Sequence, residues 1–521
     1  RFDHPGPLSA LWSHAHMTVS AGIELLSDAS AADDDVPRSF RSEACDQMRL
    51  AAPICVGLLC NRFVSTVSTV LVGRQGATEL AAVGLAVSLA NVTGYSILVG
   101  VAGTLQTTAG QAFGRNDFEE VSLSLQRCFL LCTFMLCPIA LMWLNARALL
   151  ALIGQDPAVC ALAARYLAFL LPGVFCYLVT QCLQNWLAAQ RVTSPGGTGG
   201  LINATVYLPL CWCLMHPLGL GFQGAAIATS LSNVLLMLWM VFRTKHFLRT
   251  QLRTSWQGLS KQALRQWCPF LRLALPNFLM ISEWWASEIA VLMAGTLPDA
   301  DLSLAAMAMS ANTNSICFMV PLSLGAAANT RVSNELGAGR PRAAEHAAKV
   351  SRILGLVVVA MLGILVFAFR QQWAHLFTTD ARVLEHATPV LLVSAVYVLA
   401  DGMATVTAGS LKGCARHAVL APVVIASYYL VGLPCCWLLA FPLHLATLGL
   451  AWGSTIGTWV HVISFSALLA TTDWPRMAQC ARLQGVRATD AAEVVRPRKP
   501  VAMVLEGADA AAAGREAGLG D

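Results

Sequence analysis

Twelve apolar stretches, each about as long as a bilayer is thick, decide what this chain can fold into. They run over about 51–72, 82–104, 127–145, 161–187, 200–218, 223–242, 270–296, 302–328, 352–369, 387–411, 418–440 and 446–470. A membrane-spanning helix needs about 20 such residues. Hydrocarbon offers the backbone no hydrogen-bonding partner, so each stretch must close its own N–H and C=O groups as a helix. The expected class is therefore an all-α, multi-pass integral membrane protein. Composition agrees: 56% of the 521 residues are hydrophobic and only 12% charged, with a mean hydropathy of +0.61. That is far more apolar surface than a soluble domain could bury. The seventeen cysteines fall mostly inside spans, as at Cys128, Cys132, Cys137, Cys176, Cys211 and Cys317, where Cys acts as a small hydrophobe. No CxxC pair occurs, so neither a disulfide framework nor a structural metal is expected.

The net charge of +5 says less than its distribution. From Phe242 to Leu273 there are seven Arg or Lys and no acid, and a second basic cluster (Arg331, Arg340, Arg342, Lys349, Arg352) follows the eighth span. Basic connections stay cytoplasmic. Alternation then places both termini in the cytoplasm, with Lys412 and Arg416 inside and Asp299 and Asp301 outside. The division expected is a disordered amino-terminal segment 1–46, a first lobe 47–249, a basic linker 250–267, a second lobe 268–472 and a tail 473–521. The tail is Ala-rich and disordered save for a short helix. The acidic run Asp33–Asp35 lacks the order of a cleavable signal. His14 and His16 alone do not make a metal site.

The two halves repeat. Leu50-Ala-Ala-Pro53 returns as Leu273-Ala-Leu-Pro276, and Thr107–Gly114 as Thr330–Gly337, both 223 positions on; Leu208-Pro209 returns as Leu433-Pro434 at an offset of 225. Six spans separate the copies. An even number makes the repeat parallel, related by an axis along the membrane normal, with a cleft between two six-helix lobes.

Two acids stand in the seventh stretch, Glu283 and Glu288 of Ser282-Glu283-Trp284-Trp285-Ala286-Ser287-Glu288, and Asp401 stands in the tenth. A charged side chain at a helix centre costs at least about 2.5 to 3.5 kcal/mol, so such acids mark proton, ion or substrate sites. Burial disfavours the charged form, which lets an acid take up a proton on one side and release it on the other. Glu283 and Glu288 are about 140° apart around a helix and cannot face the same way. Glu283 is expected in the cleft with Asp401 as its partner. Arg62, near the middle of the first span, is too deep to snorkel comfortably. It is expected to face the cleft and to shift substrate choice towards anions or to neutralise a nearby acid; a shifted span boundary is the other reading.

The order of motifs resembles the multidrug and toxic compound extrusion (MATE) family, eukaryotic branch. The matching residues are Gly73-Arg-Gln-Gly76-Ala-Thr-Glu79-Leu80-Ala81, Ala90–Gly94, Gly110–Gly114, Ser282–Trp285, Arg331–Gly339 and Tyr429–Pro434, within roughly 47–470. The resemblance implies twelve helices in two pseudo-symmetric lobes around a V-shaped cleft. It also implies export of organic solutes against protons, or against sodium, by alternating access, with no enzyme activity and no cofactor. It carries the coupling role onto Glu283, Glu288 and Asp401. Two residues depart from the family: Arg62, and Gln106, where relatives usually have an acid. An amide cannot titrate near neutral pH, which puts coupling through the first lobe in doubt.

Asn91, Trp284, Asn312, Tyr428 and Tyr429 are the expected substrate contacts, since aromatic faces attract organic cations and amides hold solutes without strict geometry. Asn314 shares the reading for Asn312. Arg331 and Glu335, one turn apart beside Gly337, together with Gly114, are candidate gating residues; an ordinary surface ion pair is the simpler expectation for the first two. The expected partners are small organic solutes and the lipid bilayer, not nucleic acid, and the expected state is a monomer in the plasma or vacuolar membrane. Two rival readings remain. One is a lipid-linked precursor flippase with the same two-lobe plan. The other is a membrane acyltransferase suggested by the His375-x4-Asp380 spacing. The Gly219-x-Gly221-x-x-Gly224 match joins two spans and is not a dinucleotide site, and the sequons at Asn91 and Asn203 fall inside spans.

Overall fold

Hydrogen-bonded helix accounts for most of the described residues in a computed structural model, which describes residues 35–493 apart from 153 and 266, and no side chains at 77 or 484–493. The expectations for residues 1–34, His14 and His16 among them, and for the tail beyond 493 lie outside the described residues. The described residues up to Arg482 form one compact unit; those from Leu483 to Glu493, the end of the helix Trp474–Glu493, belong to another.

Among the described residues, ten helices are long and apolar enough to cross a membrane. Two more complete the twelve. One is the seventh span, broken into Trp267–Leu279 and Ser282–Ala294, each of 13 residues. The other is the eighth, the 38-residue helix Ala300–Gly337, whose Ser, Asn and Thr residues dilute its hydropathy. The first span begins at Phe40, well ahead of its apolar stretch. Ser39 starts it by accepting a hydrogen bond from the Ser42 N–H at 3.3 Å, and polar residues continue it because the second lobe buries Glu43 and Gln47. Asp156 caps the fourth span (Pro157–Ala189) through the Ala158 and Val159 N–H groups at 2.7 and 3.3 Å, with Pro157 at the first helical position.

The lobes meet along a seam that obeys the 223-residue offset. Gln106 donates to Thr330 Oγ1 at 2.9 Å, and the symmetry-related pair, Asn329 and Thr107, bonds at 3.1 Å. Gly114 lies so close to the Asn334 carbonyl that an added Cβ would overlap it, and Gly337 stands in the same relation to the Gln111 carbonyl. Those contacts too exchange under the offset. Gly110 and Ser333 are mates of each other and touch on the pseudo-axis. Glycine is required here for closeness of approach, since two backbones cross with no room for a side chain.

Further interlobe contacts lie at the same end of the molecule, the one carrying the basic connections. Gln47 donates to the Ala347 carbonyl at 2.9 Å, Asn334 to Ala189 at 3.0 Å, and Arg115 to Ala481 at 2.7 Å. At the other end, Ala77–Ala90 and Ser282–Ala294 pack chiefly within their own lobes. The cleft is thus sealed at the basic end by those interlobe contacts.

Candidate functional site

Three elements of the second lobe build the surroundings of Glu283. The break at Met280–Ile281 is held by tight backbone bonds, Ile281 to Phe278 and Trp284 to Ile281, both at 3.0 Å. It resets the helix so that Glu283 turns into the lobe. Its Oε2 lies 3.8 Å from His461 Nδ1 on the twelfth span (Ala446–Ala470), and the Tyr428 hydroxyl is 3.3 Å from the same nitrogen. Phe465 meets the imidazole edge to face, with centroids 4.2 Å apart. Tyr429 donates to the Ser282 carbonyl at 3.0 Å, tying the eleventh span to the start of the helix that carries the acid.

Glu283 is 19% exposed and Asp401 8%. Among the described residues, neither carboxylate accepts a hydrogen bond within 3.5 Å. They act on each other electrostatically, and the Lys412 ammonium acts on Glu283. An intramembrane acid left without donors keeps its oxygens free for a proton or a cation, which a structural carboxylate does not do. A small cavity beside them is lined by Ser287, Tyr397, Tyr428 and Ser454 and offers about 10 Å³ to the centre of a water-sized molecule, room for one.

Glu288 points elsewhere, as the 140° separation requires. It is exposed, and its charge acts on Arg62 across the cleft. Arg62 donates to Asn312 Oδ1 at 2.9 Å, while its Nε is buried without a partner. No carboxylate lies within 4.0 Å of it among the described residues. This is an interlobe bridge at mid-depth. The nineteen-residue steps from Glu43 to Arg62 and from Asn312 to Arg331 each span roughly 28 Å of helix, so the two helices run antiparallel and in register.

Asn91, Tyr428 and Tyr429 share a feature that spacing does not show, for each lies in a π-helical segment, Asn91–Tyr95 or Ala426–Gly432. Such segments re-aim side chains and gather at functional sites. Asn91 is exposed, and so is Trp284, whose ring meets Phe318 at 6.2 Å. Tyr428 is buried with His461 and belongs to the acid's surroundings, away from the cleft. Asn314 is the 223-offset mate of Asn91, and its Oδ1 is buried without a partner. His461 and Tyr397 escaped the sequence reading because a single His or Tyr in an apolar helix carries no pattern.

The expected surface pair needs correction. Arg331 and Glu335 are no surface pair. At 2% and 3% exposure they form a buried network. Arg331 grips Glu43 of the first lobe through Nε and Nη2 at 2.9 and 2.7 Å and Glu335 through Nη1 at 2.8 Å; Arg340 and Arg191 also reach Glu335, at 2.9 and 3.4 Å. The first helix, by starting at Phe40, supplies the partner that local spacing could not reveal. Gln106, for its part, is a bolt in the seam. It donates to Ala326 and Thr330 and accepts from Asn329 at 3.3 Å, so the amide at this position has a structural use.

The acyltransferase reading fails on geometry as well. Asp380 caps the next helix by accepting from the Arg382 N–H at 2.9 Å, while His375 ends the preceding one. In the first lobe, Cys128, Cys132 and Cys182 are buried with their sulfurs within 4.8 Å of one another. Three thiols suit a soft, thiophilic ion; tetrahedral zinc would need a fourth donor.

The MatE family matches residues 53–213 and 277–438, one copy per lobe and together more than half of the chain. Among curated relatives, Protein DETOXIFICATION 16 of Arabidopsis thaliana is 33% identical over 448 residues, covering 85% of this chain and 91% of the relative. Protein DETOXIFICATION 17 of the same plant is 32% identical over 449 residues, covering 85% and 92%. The crystal structure of the eukaryotic MATE transporter AtDTX14 superposes with a TM-score of 0.80 at 30% identity, over 86% of this chain and all of that one. The Vibrio cholerae MATE transporter VcmN, as its D35N mutant, shares the fold with a TM-score of 0.76 at 19% identity, over 84% and 99%. With twelve helices, two matching lobes and an acid site inside the second lobe, this chain belongs to the MATE family of membrane efflux transporters and is not an enzyme.

Proposed function

We propose that the protein is a secondary active antiporter that exports organic solutes in exchange for protons by alternating access. The observation that carries this is Glu283, a carboxylate inside a membrane-spanning bundle with no hydrogen-bond donor of its own, beside Asp401 and His461. A proton or a cationic substrate can neutralise that charge, and the two compete for it. Competition for one carboxylate couples their movement in opposite directions. Glu288, Asn91, Trp284, Asn312 and Tyr429 serve the substrate path, while Arg331, Glu335, Gly114 and Gly337 seal the basic end. The basic end faces the cytoplasm by the charge rule, so the cleft opens to the outside or to the vacuole. The substrate class includes organic cations and secondary metabolites, and the working unit is the monomer.

The test is counterflow in proteoliposomes with an imposed pH gradient and a substrate panel. Wild type should concentrate substrate against its gradient, and Glu283→Gln should fall to the level of empty liposomes. Undiminished proton-driven uptake in the variant would remove the reading; a requirement for sodium would replace the coupling ion.

A further inference from the structure

A cavity opens at the basic end, between the first span, the sixth span (Gly221–Thr250) and the loop before Ser194. It holds about 660 Å³ and is lined by Arg49, Arg191, Arg243, His246 and Arg331, with Asp46 as the single acid. That acid is already engaged, since Asp46 pairs with Arg38 at 2.5 Å. Arg331 is engaged too, by Glu43 and Glu335. The remaining guanidiniums are neutralised weakly or not at all. Among the described residues, Arg49 and Arg243 have no carboxylate within 4.0 Å, and Arg191 reaches Glu335 only at 3.4 Å.

The charges are held in place. The Arg243 guanidinium lies over the rings of Trp239 and Phe247, 5.6 and 5.2 Å from their centroids. Its Nε and that of Arg191 are buried with no partner. Burial, and after it the charge of Arg331, brings the Arg191 guanidinium down to about 10. Planar guanidiniums converging on one space match the oxygens of phosphate. Depth adds a second constraint. Arg49 immediately precedes the apolar stretch of the first span and Arg243 immediately follows that of the sixth, which sets the cavity at the level of phospholipid headgroups. Its volume suits an organic phosphate better than a bare ion.

We propose that this cavity binds an organic phosphate through Arg49, Arg191 and Arg243, the same chemistry being available from a phospholipid headgroup or a soluble phosphate ester. Because Arg191 and Arg331 also belong to the network sealing the basic end, a bound phosphate relieves their mutual repulsion and favours the sealed conformation.

The probes are phosphatidic acid in phosphatidylcholine vesicles, with retained lipid read by native mass spectrometry, and glycerol 3-phosphate added to the full-length protein in neutral detergent, read by thermal shift. Each arginine near the surface is worth about fivefold, so Arg49→Gln with Arg243→Gln should weaken binding about thirtyfold. Arg265→Gln with Arg272→Gln, an equal loss of charge at exposed sites outside the cavity, should change little. Loss of phosphatidic acid in the double variant assigns the site to lipid, and loss of the glycerol 3-phosphate shift assigns it to a soluble ester. Equal binding of both probes by wild type and the Arg49/Arg243 double variant, or equal losses in the Arg265/Arg272 control, would overturn the proposal. Transport in neutral vesicles by the Arg49/Arg243 double variant verifies that it is folded.

Discussion

His461 and Glu283 stand far apart in the chain and 3.8 Å apart in space, and at the scale of single residues this separation is what sequence reading cannot cross. Glu283 itself was legible, because a carboxylate in a greasy helix is costly wherever it points. Its imidazole neighbour was not, since nothing in a His-bearing apolar sequence marks one side chain as facing another. Substituting His461→Phe should leave gradient-free substrate exchange in place while displacing the pH profile of proton-driven uptake; an unchanged profile would make the His461 contact incidental. Arg62 is a second residue-scale case. Its bridge to Asn312 leaves a guanidinium at mid-depth with no carboxylate in contact among the described residues, so Arg62→Gln should move relative transport from anionic towards cationic substrates by about tenfold, the worth of one hydrogen bond to a charged group. A substrate panel measured in parallel with wild type decides it, and identical preference would defeat the idea.

At the scale of elements, the seam between the second and eighth spans shows what the repeat is for. Its glycines were legible as motif residues, while their purpose is a backbone crossing that only the folded pair displays. Gly337→Ala should wedge the crossing through the Gln111 carbonyl and hold the basic end apart. Labelling of cysteines introduced at that end should then rise from a low to a near-complete level. Gln106→Glu acts in the same direction for another reason. A carboxylate would lose the donors to Ala326 and Thr330 and set two acceptors against each other, a loss of about 1 to 3 kcal/mol in a buried setting. The broken seventh span belongs to this scale too, since the apolar stretch is continuous in sequence and the interruption depends on local backbone bonding.

At the scale of the whole molecule, closure of the basic end rests on few strong contacts. Removing one partner of a buried ion pair costs about 3 to 5 kcal/mol, which corresponds to more than about a hundredfold in a two-state equilibrium. Glu43→Gln should therefore move the population towards a conformation open at the basic end, read as a longer distance between spin labels placed on the two lobes there. Arg331→Lys should do nearly as much, because an ammonium cannot grip both Glu43 oxygens as a fork does. Distances unchanged from wild type would show that the seam alone keeps that end shut.

The sequence by itself determined the membrane class, the twelve spans, the twofold repeat and the acid of the seventh helix. Each of these follows from what hydrocarbon demands of a chain, namely apolar length, closed backbone bonds and a reason for every charge. Tertiary structure alone decided which end is sealed, that Arg331 is buried with Glu43 of the opposite lobe, that Gln106 bolts the seam, and that a basic cavity lies beside the lock. Those features are pairings between residues hundreds of positions apart, and a pairing is set by how helices pack, which no local pattern records.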